Sequence, residues 1–236
     1  MVCSLTQAEL FDYVRAQAAH FFPDRYHLEG ADVKSAFQLA LDRLEYCLKS
    51  ISIHGYHDEK GNATFSHLHG DQYSTFLYFF GNSLWRQSQN VPLCDKLLQL
   101  NRVMYSLFIS YKCKMPDIFF LDHPIGTILG NASYSDFLVV LQGVTVNTPS
   151  KVADHPLTDQ FGMPLPKLGK GLFLGAGAMV LGGQPIGDRV SLAAGAAVYD
   201  QEVPDDSIVI PQPGGAQIHP RKKTVCKAQE CFNISF

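Results

Sequence analysis

The sequence predicts an α+β protein in which a helical N-terminal domain precedes a parallel β-helix of hexapeptide repeats. Two observations carry this. Aliphatic residues recur at every sixth position through "LGKGLFLGAGAMVLGGQPIGDRVSLAAGAAV", residues 168–198. Residues 1–112 show instead the three-to-four-residue spacing of amphipathic helices.

The helical part opens with "SLTQAELFDYVRAQAAHFF", where Ser4 and Gln7 have the spacing of a capping box ahead of an amphipathic run. "ADVKSAFQLALDRLEYCLKSI" then places Val33, Phe37, Leu41, Leu44, Leu48 and Ile51 on one helical face. "DQYSTFLYFFGNSLWRQ" and "LCDKLLQLNRVMYSLFISY" predict two further helices, the first crowded with aromatic side chains that read as packing core. The intervening "HGYHDEKGNATFSHLHG" is polar and rich in turn residues.

The repeat occupies the next domain, 113–213. Its anchors are Leu168, Leu174, Val180, Ile186, Leu192 and Val198. With aliphatic residues at roughly one position in four, six successive hits arise by chance about once in several thousand. A period of six fits neither a 3.6-residue helix nor a two-residue strand alternation. It fits short strands separated by turns, three hexads closing one triangular coil. The anchor points into the prism, and the small residue after it (Gly169, Gly175, Gly187, Ala193) is expected to let the backbone turn the corner. The same phase extends upstream through Leu129, Ser135 and Leu141. Residues 148–167, polar and with four prolines, read as a loop extruded from the coil. Residues 214–236 read as a C-terminal tail.

Composition excludes several classes. The 236 residues carry a net charge of −3, without the basic footprint of a nucleic-acid binder. The glycine-rich stretch matches neither phosphate-binding glycine motif. Lys170, Gln184, Asp188 and Arg189 break any apolar span, so membrane insertion is not expected. "MVCSLTQAEL" lacks the pattern of a secretory signal. The six cysteines contain no C-x-x-C pair, which points to reduced, buried thiols in a cytoplasmic protein.

The chemistry-bearing residues cluster at the start of the repeat. In "FFLDHPIGTILG", Asp122 and His123 precede the first regular coil. A neutral imidazole at the prism surface can take the proton of an incoming hydroxyl; a histidine that merely caps a turn would look the same. "ADHPLTD" adds His155 between Asp154 and Asp159 in the loop, where solvated side chains are the competing reading. The two D-H-P triplets, 32 residues apart, lack a third compact ligand set, so no metal site is expected.

With these residues in view, "LDHPIGTILGNASYSDFLVVLQGVTV" followed by "PKLGKGLFLGAGAMVLG" resembles the serine O-acetyltransferase family of hexapeptide transferases, over roughly residues 70–210. The resemblance implies a left-handed parallel β-helix, assembly as a homotrimer or a dimer of trimers, and acetyl-CoA as acyl donor between adjacent coils. It implies that His123 is the base that deprotonates the acceptor hydroxyl and that Asp122 helps hold the small-molecule substrate. Ala176 and Ala194 match positions lining the pantetheine arm, beside Gly175. Eighteen residues separate the two alanines, one full coil, so they should stack on one edge. Arg221 and Lys222, with Lys223, would meet the 3′-phosphate, unless "HPRKKT" is an ordinary solvated segment.

Four positions depart from the family. Phe108 stands where an aspartate orients the base, with Asp117 as a nearby substitute. Leu165 stands where a second histidine is expected, a place His155 could reach. "VNTPSK" replaces a glycine-rich turn. The last residues are "CFNISF" in place of the isoleucine with which the family docks to cysteine synthase, so that docking carries over poorly. O-acetyl transfer to a sugar, nucleotide sugar, capsule or lipopolysaccharide glycan remains as a second reading, and a non-catalytic β-helix scaffold as a third.

Overall fold

The computed structural model describes residues 1–147 and 166–236, and its chain divides into two compact units. The first comprises Met1–Lys49 and His54–Lys112, the second Ser50–Ile53 and Cys113–Phe236.

The first unit holds four helices: α1 (Gln7–Phe21), α2 (Ala31–Lys49), α3 (Gly70–Ser88) and α4 (Val91–Tyr105). The cap of α1 is Thr6, not Ser4. Its hydroxyl accepts from the Glu9 backbone N–H, and the Glu9 carboxylate accepts from the Thr6 backbone N–H. Thr6 and Glu9 have the same spacing as Ser4 and Gln7, but the acidic member also complements the helix dipole. Helix α2 buries Val33, Phe37, Leu41, Leu44 and Leu48 as its periodicity requires. Helix α3 is buried on all sides between residues 71 and 84. Its Phe76 and Phe80 both meet Phe37 edge-on, with ring centroids 5.8 and 5.6 Å away. The aromatic stripe is therefore core.

In the second unit three parallel ladders replace a conventional sheet. The first stacks Phe119–Asp122, Leu138–Leu141, Phe173–Leu174, Ser191–Leu192 and Ser207–Gln212. The second stacks Ile128–Leu129, Thr145–Asn147, Met179–Leu181 and Ala197–Tyr199. The third joins Ser133–Tyr134 to Lys167–Leu168 and continues as single bridges at Ile186 and Val203. Phe173 pairs with Ser191, Met179 with Ala197 and Leu168 with Ile186, each eighteen residues on. The chain therefore completes one circuit per three hexads. All six anchors from Leu168 to Val198 are at most 2% exposed.

The upstream phase differs from the expectation. Leu168 pairs with Tyr134 and Leu174 with Val140, so the inward residues there are Tyr134 and Val140, and Ser135 and Leu141 are only half-buried. One circuit is a residue short after Leu129. A period-two strand that slips by one residue turns its other face inward, which moves the anchor from Leu141 to Val140. The same shortening recurs after Val198, where Val203 and Val209 take the inward places.

The small residue behind each anchor also acts differently. At Gly169 an added Cβ would lie 2.4 Å from the backbone C and O of Gly187, and at Gly175 2.8 Å from the Ala194 nitrogen. These glycines admit the next coil. The corner is turned two residues later, where Gly171, Gly177 and Gly195 adopt φ of +71°, +67° and +72°.

Residues 214–236 are built into this unit. Gly215–Pro220 pairs antiparallel with Ser207–Gln212, Phe232 bridges to Ile51, and Phe236 stacks on Phe137 at 4.2 Å. The segment covers the outside of the first ladder.

Candidate active site

The corner between the first and second ladders repeats four times, as Ile125–Gly126, Gln142–Gly143, Ala176–Gly177 and Ala194–Gly195. Backbone hydrogen bonds tie each to the one below: Gly143 N–H to Ile125 O at 2.9 Å, Gly177 N–H to Gln142 O at 2.8 Å, and Gly195 N–H to Ala176 O at 2.8 Å. Ala176 and Ala194 thus stack directly, one half-buried and the other exposed. Neighbouring coils lie about 4.8 Å apart, so the column from Ile125 to Ala194 is on the order of 14 Å long.

His123 stands at the foot of this column. From the inward Leu121 to the inward Leu129 the chain takes eight steps, whereas the corners above take six, from Val140 to Val146 and from Leu174 to Val180. The two additional residues lie around Asp122 and His123 and push the histidine outward. Its φ is +51°, a left-handed value also found at the corners Phe137, Arg189 and Asp206, and its side chain is 77% exposed. Asp122 Oδ1 lies 3.8 Å from His123 Nε2. That is too long for a hydrogen bond and close enough for attraction to a protonated ring, on the order of 1 kcal/mol in water. Thr127, fully buried, donates from Oγ1 to Leu141 O at 3.1 Å and pins the corner to the coil above.

Asp117 and Gly175 are not gathered here. Asp117 is exposed and precedes the strand Phe119–Asp122, at whose far end His123 sits. Four extended residues span about 13 Å, so within one chain Asp117 cannot orient His123. Phe108 belongs to the first unit, where Arg102 lies 5.7 Å over its ring, and it offers no acceptor. His155, Asp154, Asp159 and Leu165 fall outside the described residues. Gly175 is buried against the next coil and opens no groove.

The basic run is also placed elsewhere. Pro220 pairs with Ser207, the first residue of its strand, whereas the alanine column follows the last residues of the strands in that ladder. Arg221 and Lys222 therefore start from the opposite edge of the face. The Arg221 guanidinium is bound to Asp206, whose carboxylate also accepts from Arg189 Nε at 2.9 Å and Nη2 at 2.8 Å. Hydrogen bonding from Arg189, aided by Arg221, holds the Asp206 carboxyl down at about 2. A carboxyl whose pKa is lowered on folding adds stability above its unfolded value and loses it as pH falls through the folded one. Asp206→Asn is expected to cost about 1 kcal/mol or less at pH 7, because the group is 42% exposed and screened. Urea midpoints of the variant and the parent should converge as pH drops from about 4 to 2. A difference that persists at pH 2 would show that the pair's charge is not the cause.

Burial pushes the Cys94 and Cys113 thiols up to about 12 and Cys231 to about 11, and none of the six cysteines forms a disulfide among the described residues. Among the described residues no helix is long and apolar enough to cross a membrane.

Comparison with known proteins agrees with this fold. A serine acetyltransferase from Synechococcus elongatus is 33% identical over 132 residues, which is 55% of this chain and 50% of that protein. One from Staphylococcus aureus is 27% identical over 152 residues, covering 64% and 65%. The chain thus spans half to just under two thirds of the length of these relatives. Among solved structures, Neisseria gonorrhoeae serine acetyltransferase superposes with a TM-score of 0.61 at 19% identity over 98% of this chain and 97% of that one. A serine acetyltransferase in complex with CoA gives 0.59 at 17% identity over 91% and 100%. No family model matches the chain.

Proposed function

From its likeness to serine acetyltransferases in sequence and fold, we propose that this chain is an acetyl-CoA-dependent O-acetyltransferase acting on L-serine or a similar small hydroxylated acceptor. The observation that carries the reading is the single corner column with His123 at its foot and Ala176 and Ala194 above it. An extended acyl donor laid along that column meets no side chain larger than a methyl at the two alanine rungs, and its thioester end reaches the histidine. His123 Nε2 takes the acceptor hydroxyl proton, the oxygen attacks the thioester carbonyl, and the CoA thiolate leaves. Asp122 favours the imidazolium formed in that step. Backbone N–H groups at the corner supply donors for the tetrahedral oxyanion. The coil is left-handed in this reading, as the resemblance implies.

Release of CoA thiol from acetyl-CoA, measured against a panel of serine, related hydroxyl compounds and nucleotide sugars, tests the assignment. Turnover with serine supports it. Turnover with sugars alone would transfer the protein to the glycan O-acetyltransferases, a reading favoured by Phe108 in place of the orienting aspartate. No turnover with any acceptor would leave the scaffold.

The donor column needs a second wall, and the outer surface of the second ladder suggests what supplies it. Ile128, Met179 and Tyr199 are 43%, 41% and 71% exposed beside exposed Ala197, an apolar strip along the column's flank. We infer a trimer, alone or paired into a hexamer, in which this strip is covered by a neighbouring copy. Sedimentation at micromolar concentration should give the trimer or its double; a monomer would contradict the shared cleft.

Ala194→Trp places a large side chain on the upper rung. It should raise the KM for acetyl-CoA at least about tenfold, or ~1.4 kcal/mol, with the oligomer intact. Unchanged acetyl-CoA dependence in a folded variant would move the donor elsewhere.

A further inference from the structure

Of the rungs of the corner column, Ile125, Ala176 and Ala194 carry apolar side chains and Gln142 a polar one. Gln142 is exposed, and its side-chain amide has no hydrogen-bond partner among the described residues. Its place follows from the register. Asp122 pairs with Leu141, so His123 and Gln142 leave the first ladder as the next residues of adjacent coils. Gly143 N–H bonds to Ile125 O and Gly177 N–H to Gln142 O, which sets Gln142 one coil above the histidine's corner and one below Ala176. A donor whose pantetheine arm passes the alanines and whose thioester reaches His123 must cross the Gln142 rung.

Other donors along the column are occupied. The N–H groups of Gly143, Gly177 and Gly195 each bond to the carbonyl of the rung below. Thr127 is fully buried, and its hydroxyl donates to Leu141 O. A carboxylate such as Asp122 only accepts. A primary amide carries two N–H donors at any ordinary pH and can meet negative charge as it develops on an oxygen. We propose that Gln142 is a catalytic residue, its side-chain N–H donating to the thioester carbonyl oxygen and, more strongly, to the oxyanion formed from it. The assignment rests on the acetyl-transfer reading above. The acceptor oxygen adds to the carbonyl carbon as His123 takes its proton, and the π pair moves to the oxygen bonded by Gln142. When that pair returns, the C–S bond breaks and CoA leaves as thiolate, the proton remaining on His123.

Gln142→Met keeps the length of the side chain and removes the donor. Gln142→Glu keeps the shape and sets a negative charge beside the oxyanion. Both change an exposed side chain and leave no core cavity. In a closed site one such donor contributes ~10²–10³ to kcat. On this exposed rung Gln142→Met should lower kcat for CoA release at least about tenfold, with the KM of each substrate within about threefold, and Gln142→Glu should lower it further. The acidic limb of the kcat/KM profile should stay in place in Gln142→Met, since amide and thioether are both neutral. An unchanged kcat in Gln142→Met, or Gln142→Glu as active as the parent, overturns the proposal. So does a loss confined to KM, which would make Gln142 a binding residue only, or a displaced acidic limb, which would make it a positioning residue for His123. A parent that releases no CoA with any acceptor fails at the acetyl-transfer reading itself and takes the proposal with it; an active parent with an indifferent variant overturns the proposal alone.

Discussion

His123→Ala is expected to lower kcat/KM for acetyl transfer by ~10²–10⁴-fold, the contribution of a positioned general base. The side chain is 77% exposed, so its removal leaves no core cavity. The backbone φ of +51° is left-handed for either residue and only somewhat less favourable for alanine, so folding stability should move little. The loss should fall on kcat, because the proton is transferred only in the transition state. Asp122→Asn should have a smaller effect: its oxygen lies 3.8 Å from the ring and acts through charge in a half-exposed setting. Activity of His123→Ala within threefold of the parent would remove the histidine from the mechanism.

The largest effect on stability is expected at Gly169. Its Cβ would meet the Gly187 carbonyl at 2.4 Å and the Asp188 nitrogen at 2.6 Å, all backbone, with no flexible side chain to yield. The two coils must separate locally, lengthening the hydrogen bond from Gly169 N–H to Ile186 O, now 2.8 Å. Overpacking typically costs 1–3 kcal/mol and occasionally more; against a rigid neighbour Gly169→Ala should cost about 3 kcal/mol or above. Gly177→Ala is the control. It has open space around the new methyl and a φ of +67°, so only the left-handed penalty of about 1–2 kcal/mol applies. Denaturant midpoints should separate the two variants. Equal losses would mean that conformation, not coil contact, explains the glycine behind each anchor.

The positions of Asp122 and His123 ahead of the first regular coil, and the eighteen-residue spacing of Ala176 and Ala194, were legible from the sequence. The corner's two additional residues were not: they become visible only once the inward residues above and below are known. The basic run shows the reverse error. Arg221 follows the last coil in sequence, which suggested the end of the donor column, but the antiparallel return of Gly215–Pro220 carries it back along its strand to the other edge.

By itself the sequence determined which residues face inward over the six regular hexads, because burial enforces a period that aliphatic side chains must obey. It determined the helical faces of the first unit for the same reason. Only the tertiary structure decided the register where circuits shorten by one residue, since Val140 and Leu141 are equally apolar and only the ladder partner distinguishes them. Only the structure assigned the glycines, because the closeness of Gly169 to Gly187 depends on atoms eighteen residues away. The approach of the 221–230 segment to the first ladder was equally hidden: Ser191 and Arg221 are thirty residues apart, and the folded return of the chain brings both into the lining of one cavity.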